Sequence, residues 1–166
     1  MDCLTGLGDP GDLLADVQDG SSEECEAVLI DIAGLIWLNS EFGHAEGDAA
    51  IRLVGSLIES KACRAGGTTF RIAGEEFLVL LPRLSHTETL MLASEIVAGC
   101  TALRIRYRCP DEQREYLAVN AVLMRLTLIE ICDIQILREC LAQRIYDASL
   151  SQGRRFGLVI DSPEAV

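Results

Sequence analysis

Apolar residues in this chain fall into short unbroken runs and helical stripes, and the polar residues between them mark where each element ends. Glu26-Ala27-Val28-Leu29-Ile30-Asp31-Ile32 is an apolar run interrupted by one acid, which predicts a buried strand. Leu35, Leu38 and Phe42 recur at helical spacing, with Gly43 as the stop. Ala50, Leu53, Val54, Leu57 and Ile58 form an i, i+3, i+4, i+7, i+8 stripe, predicting a second helix from about Asp48. Thr68 to Ile72 and Phe77 to Leu81 read as two strands of a hairpin turning through Ala73-Gly74-Glu75-Glu76. Ser85-His86-Thr87-Glu88 is a capping box, opening a helix that buries Ala93, Ile96, Val97 and Cys100. Arg104 to Cys109 and Leu117 to Leu126 predict a second hairpin, looped through Pro110 to Glu115. Asp133 caps a last helix through Leu137, Cys140, Leu141, Ile145 and Ala148, ended by Gly153, and Phe156 to Ile160 is a closing strand. The order βααββαββαβ predicts an α+β domain with helices packed on a largely antiparallel sheet.

The 166 residues suit one domain, spanning 1–166, with a loose, glycine- and aspartate-rich segment over 1–25 that holds a short helical stretch at Leu13 to Val17. Hydrophobic residues make up 49% of the chain, which raises the question of a membrane. No apolar run approaches the roughly 20 residues that a spanning helix needs, and Met1-Asp2-Cys3-Leu4-Thr5 has no signal-peptide pattern. The expectation is a cytoplasmic globular domain without a membrane segment. A net charge of −12 disfavours nucleic acid and anionic lipid, and requires a metal ion or a local basic cluster for any phosphate ligand. The seven cysteines (3, 25, 63, 100, 109, 132 and 140) show no C-x-x-C spacing, and most read as buried small hydrophobes in a reducing compartment.

Three acids carry the candidate chemistry. Asp31 lies in a very apolar strand, where an unpaired carboxylate is costly. Glu75 and Glu76 lie at the tip of the first hairpin, and a sheet that sets the first strand beside that hairpin brings Asp31 and Glu75 together. Two convergent carboxylates suit Mg²⁺, which prefers oxygen ligands and keeps waters for phosphates. Spacing alone favours a plainer reading, in which Asp31 caps the following helix and the two glutamates are solvated turn residues.

The motifs shift that balance. Asp31-Ile32-Ala33-Gly34-Leu35-Ile36-Trp37-Leu38-Asn39-Ser40-Glu41-Phe42-Gly43-His44-Ala45-Glu46-Gly47-Asp48 resembles the pattern D-x-D-x-F-K-x-x-N-D-x-x-G-H-x-x-G-D of the GGDEF, or diguanylate cyclase, family. Arg71-Ile72-Ala73-Gly74-Glu75-Glu76-Phe77 resembles R-x-G-G-[DE]-E-F, with AGEEF in place of GGDEF. Asp2-Cys3-Leu4-Thr5-Gly6-Leu7 is similar to D-x-L-T-G-L, and Tyr146 to Arg154 to Y-x-A-K-x-x-G-R-N with one extra residue. These blocks follow the family's order and cover nearly the whole chain.

The resemblance implies a palm-like sheet and condensation of two GTP into cyclic di-GMP, one GTP held by each subunit of a homodimer. By position, Asp31, Glu75 and the carbonyl of Ile32 match the ligands of Mg²⁺ (or Mn²⁺). Glu75 and Glu76 match the catalytic acids of the signature. Asn39 and Asp48 match the guanine readers, since a carboxylate accepts from N1–H and N2–H while an amide pairs with O6 or N7. His44, between them, reads as helix-end packing as readily as a ligand contact. Arg154 is retained as a phosphate contact.

Departures from the pattern are equally specific. Ala33 replaces the second Asp, and Ile36 and Ser149 stand where the family places phosphate-binding lysines. Val119-Asn120-Ala121-Val122 lacks the Ser and Gly of S-x-G-V. Arg64 is present, but Gly67 replaces the acid of the R-x-x-D product-inhibition motif. Two functions follow: a slow diguanylate cyclase, or a catalytically inactive GGDEF domain acting as a GTP-binding or protein-docking regulatory module.

Overall fold

A computed structural model describes residues 1–13, 24–108, 115–127 and 159–161. The central strand is β1 (Glu24–Ala33), and its apolar run is explained by neighbours on both sides. It pairs antiparallel with β3 (Glu76–Leu81) and with β4 (Ala118–Thr127). Strand β2 (Thr68–Ala73) lies antiparallel outside β3, and β5 (Val159–Asp161) runs parallel to β4, giving the order β2-β3-β1-β4-β5.

Side chains alternate across the sheet, so each strand feeds two layers. Val28, Ile30 and Ile32 join Phe77, Val79, Leu81, Val119, Ala121 and Leu123 in the core beneath the helices. Ala27 and Leu29 join Leu78, Leu80, Val122 and Met124 in a second layer, which Leu13, Phe70 and Ile72 extend. Ile30 is fully buried, and its truncation to Ala would cost about 2–5 kcal/mol.

Helix α1 (Leu35–Phe42) starts from Gly34 at φ +94°, where a Cβ would come within 2.7 Å of the Tyr107 ring. Gly43, at φ +88°, ends α1 by donating its N–H to the Asn39 carbonyl at 2.8 Å and opens α2 (His44–Arg64) directly. The second helix therefore begins at His44 rather than near Asp48, because one glycine makes the whole break. Phe42 departs from its expected stripe as well. At 52% exposure it borders, with Leu53, an open groove of about 310 Å³. Helix α3 (His86–Ala102) has the expected reciprocal cap: the Ser85 N–H donates to Glu88 Oε2 at 2.9 Å, and the Glu88 N–H to Ser85 Oγ at 3.4 Å.

Among the described residues, the second hairpin is reduced to an antiparallel bridge, Arg106 to Tyr116, flanked by two backbone hydrogen bonds. The closing strand is met at Val159–Asp161. The predicted last helix, with Cys132 and Cys140, and the residues at Cys109, Leu14 to Val17, Ser149 and Arg154 lie outside the described residues. Of the four described cysteines, all free thiols, Cys100 alone is buried as expected, which pushes it up to about 12. Cys25 is half-buried, and Cys3, near the N-terminus, and Cys63, in the last turn of α2, are exposed.

Residues 1–13 attach to the sheet. Gly8 forms a parallel bridge to Phe70, and its carbonyl accepts from the Arg71 N–H at 2.9 Å.

Candidate functional site

The hairpin between β2 and β3 and the end of β1 make the site. A bulge between Arg71 and Ala73 precedes a turn in which Gly74 takes φ +39°. Ala73 is exposed and is not among the positive-φ residues, so a Cβ in place of the family's first glycine is accommodated. Across the turn, the Ile32 N–H donates to the Glu75 carbonyl at 3.2 Å, and Asp31 stands in register with Glu76. Asp31, Glu75 and Glu76 are thus brought together, each half-buried. Burial, then the charge of Glu75, then that of Glu76 push the Asp31 carboxyl up to about 6.

This geometry removes the plainer reading of Asp31. The first turn of α1 is set by Gly34, without a side-chain cap, and Asp31 lies three residues earlier in β1. Among the described residues no three His, Cys, Asp or Glu side chains form a closed cage for an ion. Two carboxylates beside an open edge fit Mg²⁺, which uses one or two carboxylates and fills its remaining positions with water and phosphate.

The other candidate residues occupy the junction of α1 and α2. Asn39 packs its carboxamide over Gly47, where any Cβ would overlap Oδ1. That Oδ1 is buried with no partner among the described residues, a state costing about 1–3 kcal/mol. Asp48 follows Gly47 and is exposed, as is His44 at the start of α2. Ile36 points outward from α1 at 71% exposure, an apolar side chain left in water.

Arg64 is exposed, with Nε donating to the Ser60 carbonyl at 3.0 Å. A Cβ at Gly67 would lie 2.8 Å from the Leu80 carbonyl oxygen, so an acid there requires the hairpin to shift.

Sequence reasoning quoted Asp2 and Arg71 within their motifs and gave them no task. The structure joins them. Arg71 Nη1 donates to Asp2 Oδ1 at 3.0 Å and Oδ2 at 3.2 Å, while Nε and Nη2 donate to the Gly74 carbonyl at 2.9 and 2.7 Å. The Thr5 N–H and hydroxyl also donate to Asp2 Oδ1, at 2.9 and 2.7 Å. Burial works against the Asp2 charge, but the Thr5 and Arg71 hydrogen bonds prevail and hold its carboxyl down at about 2. The available signal was an acid and an arginine that each sit beside a glycine-containing turn.

Residues 11–121 match the family described as "Diguanylate cyclase, GGDEF domain". Among curated proteins, the chain is 36% identical over 106 residues to diguanylate cyclase DgcM of Escherichia coli, a match covering 57% of this chain and 24% of that protein. It is 29% identical over 112 residues to diguanylate cyclase VdcA of Vibrio cholerae, covering 65% of this chain and 32% of that protein. The match therefore spans about a quarter to a third of those relatives' lengths. Among solved structures, the GGDEF domain of DgcB from Caulobacter crescentus, in complex with c-di-GMP, superposes with a TM-score of 0.74 at 22% identity, covering 99% of this chain and 93% of that one. The active GGEEF domain of a diguanylate cyclase from Vibrio cholerae gives 0.70 at 21% identity, covering 96% and 99%. These superpositions establish the palm-like α+β fold, and among the described residues no helix is long and apolar enough to cross a membrane.

Proposed function

The chain belongs to the GGDEF family, and from that premise we propose that residues 1–166 form one domain that slowly condenses two GTP into cyclic di-GMP with Mg²⁺ or Mn²⁺. It does so as a homodimer, each subunit holding one GTP. The observation that carries this reading is the meeting of Asp31 and Glu75 where β1 reaches the signature turn. Asp31, Glu75 and the Ile32 carbonyl hold the divalent cations, and Glu76 flanks them as the second acid of the signature. A bound cation supplies a lowered pKa for the attacking 3′-hydroxyl and neutralises charge on the α-phosphate.

Recognition of the base falls to the junction of α1 and α2. Asp48 accepts from N1–H and N2–H of guanine, and the Asn39 amide pairs with O6 or N7. That pairing uses the Asn39 Nδ2 donor, since O6 and N7 are both acceptors. Gly47 gives the Asn39 carboxamide its room, and His44, at the start of α2, is the further candidate for the base. Arg154 is assigned to the phosphates as the cation that the sequence keeps.

A second reading rests on Ile36. An exposed apolar residue where the family has a phosphate-binding lysine favours an inactive domain that binds GTP or a protein and regulates another activity. Incubation with GTP and Mg²⁺, with cyclic di-GMP as the readout and Glu75→Ala as the blank, separates the two. Product above the blank supports the cyclase. GTP binding without product supports the regulatory module.

A further inference from the structure

Asp31 has a register partner on each side: Glu76 on β3 and Asn120 on β4. Residues directly opposed in antiparallel strands project from the same face, with Cβ atoms about 4.5–5.5 Å apart. The buried neighbours identify that face. Ala27 and Leu29 of β1, Leu78 and Leu80 of β3, and Val122 and Met124 of β4 all belong to the second core layer. Counting by twos along each strand places Asp31, Glu76 and Asn120 on that same side. They form one polar row across three strands, at the end of an otherwise apolar layer.

Asn120 is out of keeping with its strand. Leu117-Ala118-Val119-Asn120-Ala121-Val122-Leu123-Met124 is apolar but for this residue, and asparagine is disfavoured in strands. Valine or alanine would suffice for packing. What a carboxamide adds is an uncharged oxygen, together with N–H donors that can serve the residues beside it. The row already carries two carboxylates, with Glu75 close by, and a further one would add repulsion. An amide oxygen enlarges the set of hard ligands without that cost.

We infer that Asn120 is a further residue of the cation site, its carboxamide oxygen joining Asp31 and Glu75 around the divalent ion. This rests on the cation reading proposed above, and concerns a residue at the unspecified position of the S-x-G-V strand, to which the resemblance gives no task.

The test uses Mn²⁺ alone, without nucleotide, with the free ion followed by electron paramagnetic resonance. Wild type, Asn120→Leu, Asn120→Asp and Glu75→Ala are titrated, each after its melting temperature has been checked in EDTA. Asn120→Leu keeps the γ-branched shape and removes the oxygen, and is expected to weaken Mn²⁺ about tenfold. Asn120→Asp keeps an oxygen and is expected to bind at least as tightly as wild type. Asn120→Ala repeats the oxygen-free arm should leucine not fold. Wild-type affinity in the oxygen-free variants, or an equal loss in Asn120→Asp, assigns Asn120 to strand packing and overturns the proposal. No Mn²⁺ binding by wild type, or binding untouched by Glu75→Ala, refutes the cation site itself and with it this role for Asn120.

Discussion

Two carboxylates reach the same turn and meet opposite fates. Asp2 accepts four hydrogen bonds, two from Thr5 and two from Arg71, and Arg71 ties it to the Gly74 carbonyl. Asp31, close to Glu75, gains no such donor among the described residues, and burial and the neighbouring acids hold it near 6 where Asp2 sits near 2. The first carboxylate is finished by the protein. The second is left without a compensating positive charge among the described residues, as the cation site proposed above requires. The difference separates an acid tied into the fold from the acid proposed to hold a cation, although both lie in motifs shared with the family.

The comparison breaks most visibly at Asp31. Replacing it by Asn is expected to reduce cyclic di-GMP formation on the order of 100-fold or more, by removing a cation ligand. The same variant should be more stable than wild type in metal-free buffer. A carboxyl whose folded pKa is raised destabilises the fold once ionised, so the cost is present above about pH 6 and vanishes as pH falls toward 4. Urea titrations should show a gain of about 1–2 kcal/mol at pH 8 and none at pH 4. A destabilised Asp31→Asn at pH 8 would return this acid to the structural class.

Arg71→Ala probes the other side, and is expected to cost about 2 kcal/mol at neutral pH, since it strips Asp2 and Gly74 together. Arg71→Lys should recover less than half, lacking the fork that spans both acceptors. The Asp2 contribution has the opposite sign to that of Asp31. A depressed pKa stabilises above about pH 4 and is lost as pH falls toward 2. Equal urea midpoints for wild type and Arg71→Ala would show that the clamp is ornamental.

The smallest effect concerns supplied rather than removed charge. Ile36→Lys with Ser149→Lys should raise GTP turnover about tenfold, by holding phosphate beside the carboxylates. Ile36 is already exposed, so a lysine there has a free path to water. A double variant that binds GTP better yet matches the Glu75→Ala blank would decide for the regulatory module.

Much of this contrast was open to sequence reading because it was local. The run from Glu26 to Ile32, the hairpin around Gly74 and the box at Ser85 are all set by neighbours within a few residues. The convergence of Asp31 and Glu75 followed from placing one strand beside one hairpin. The Asp2 to Arg71 clamp spans 69 positions and leaves no periodic trace. The start of α2 was misjudged because Gly43 serves two helices, whereas stripe reading expects a loop between them. Phe42 fits a helical stripe that its short helix does not bury, since α1 ends there and the side chain falls beside a groove. The row through Asn120 required strand register, which no single strand's sequence contains.

The bridge from Gly8 to Phe70 bears on how this molecule keeps to itself. Strand β2 is the outermost strand on its side of the sheet, and an outermost strand presents unpaired backbone groups to any extended chain that arrives. The segment at Gly8 occupies part of that border and takes up the Arg71 N–H. A version trimmed to begin at Gly11, a natural choice for tidying the terminus, would uncover it. Such a fragment would be prone to strand-to-strand association, and its dimers would be easily mistaken for the proposed homodimer.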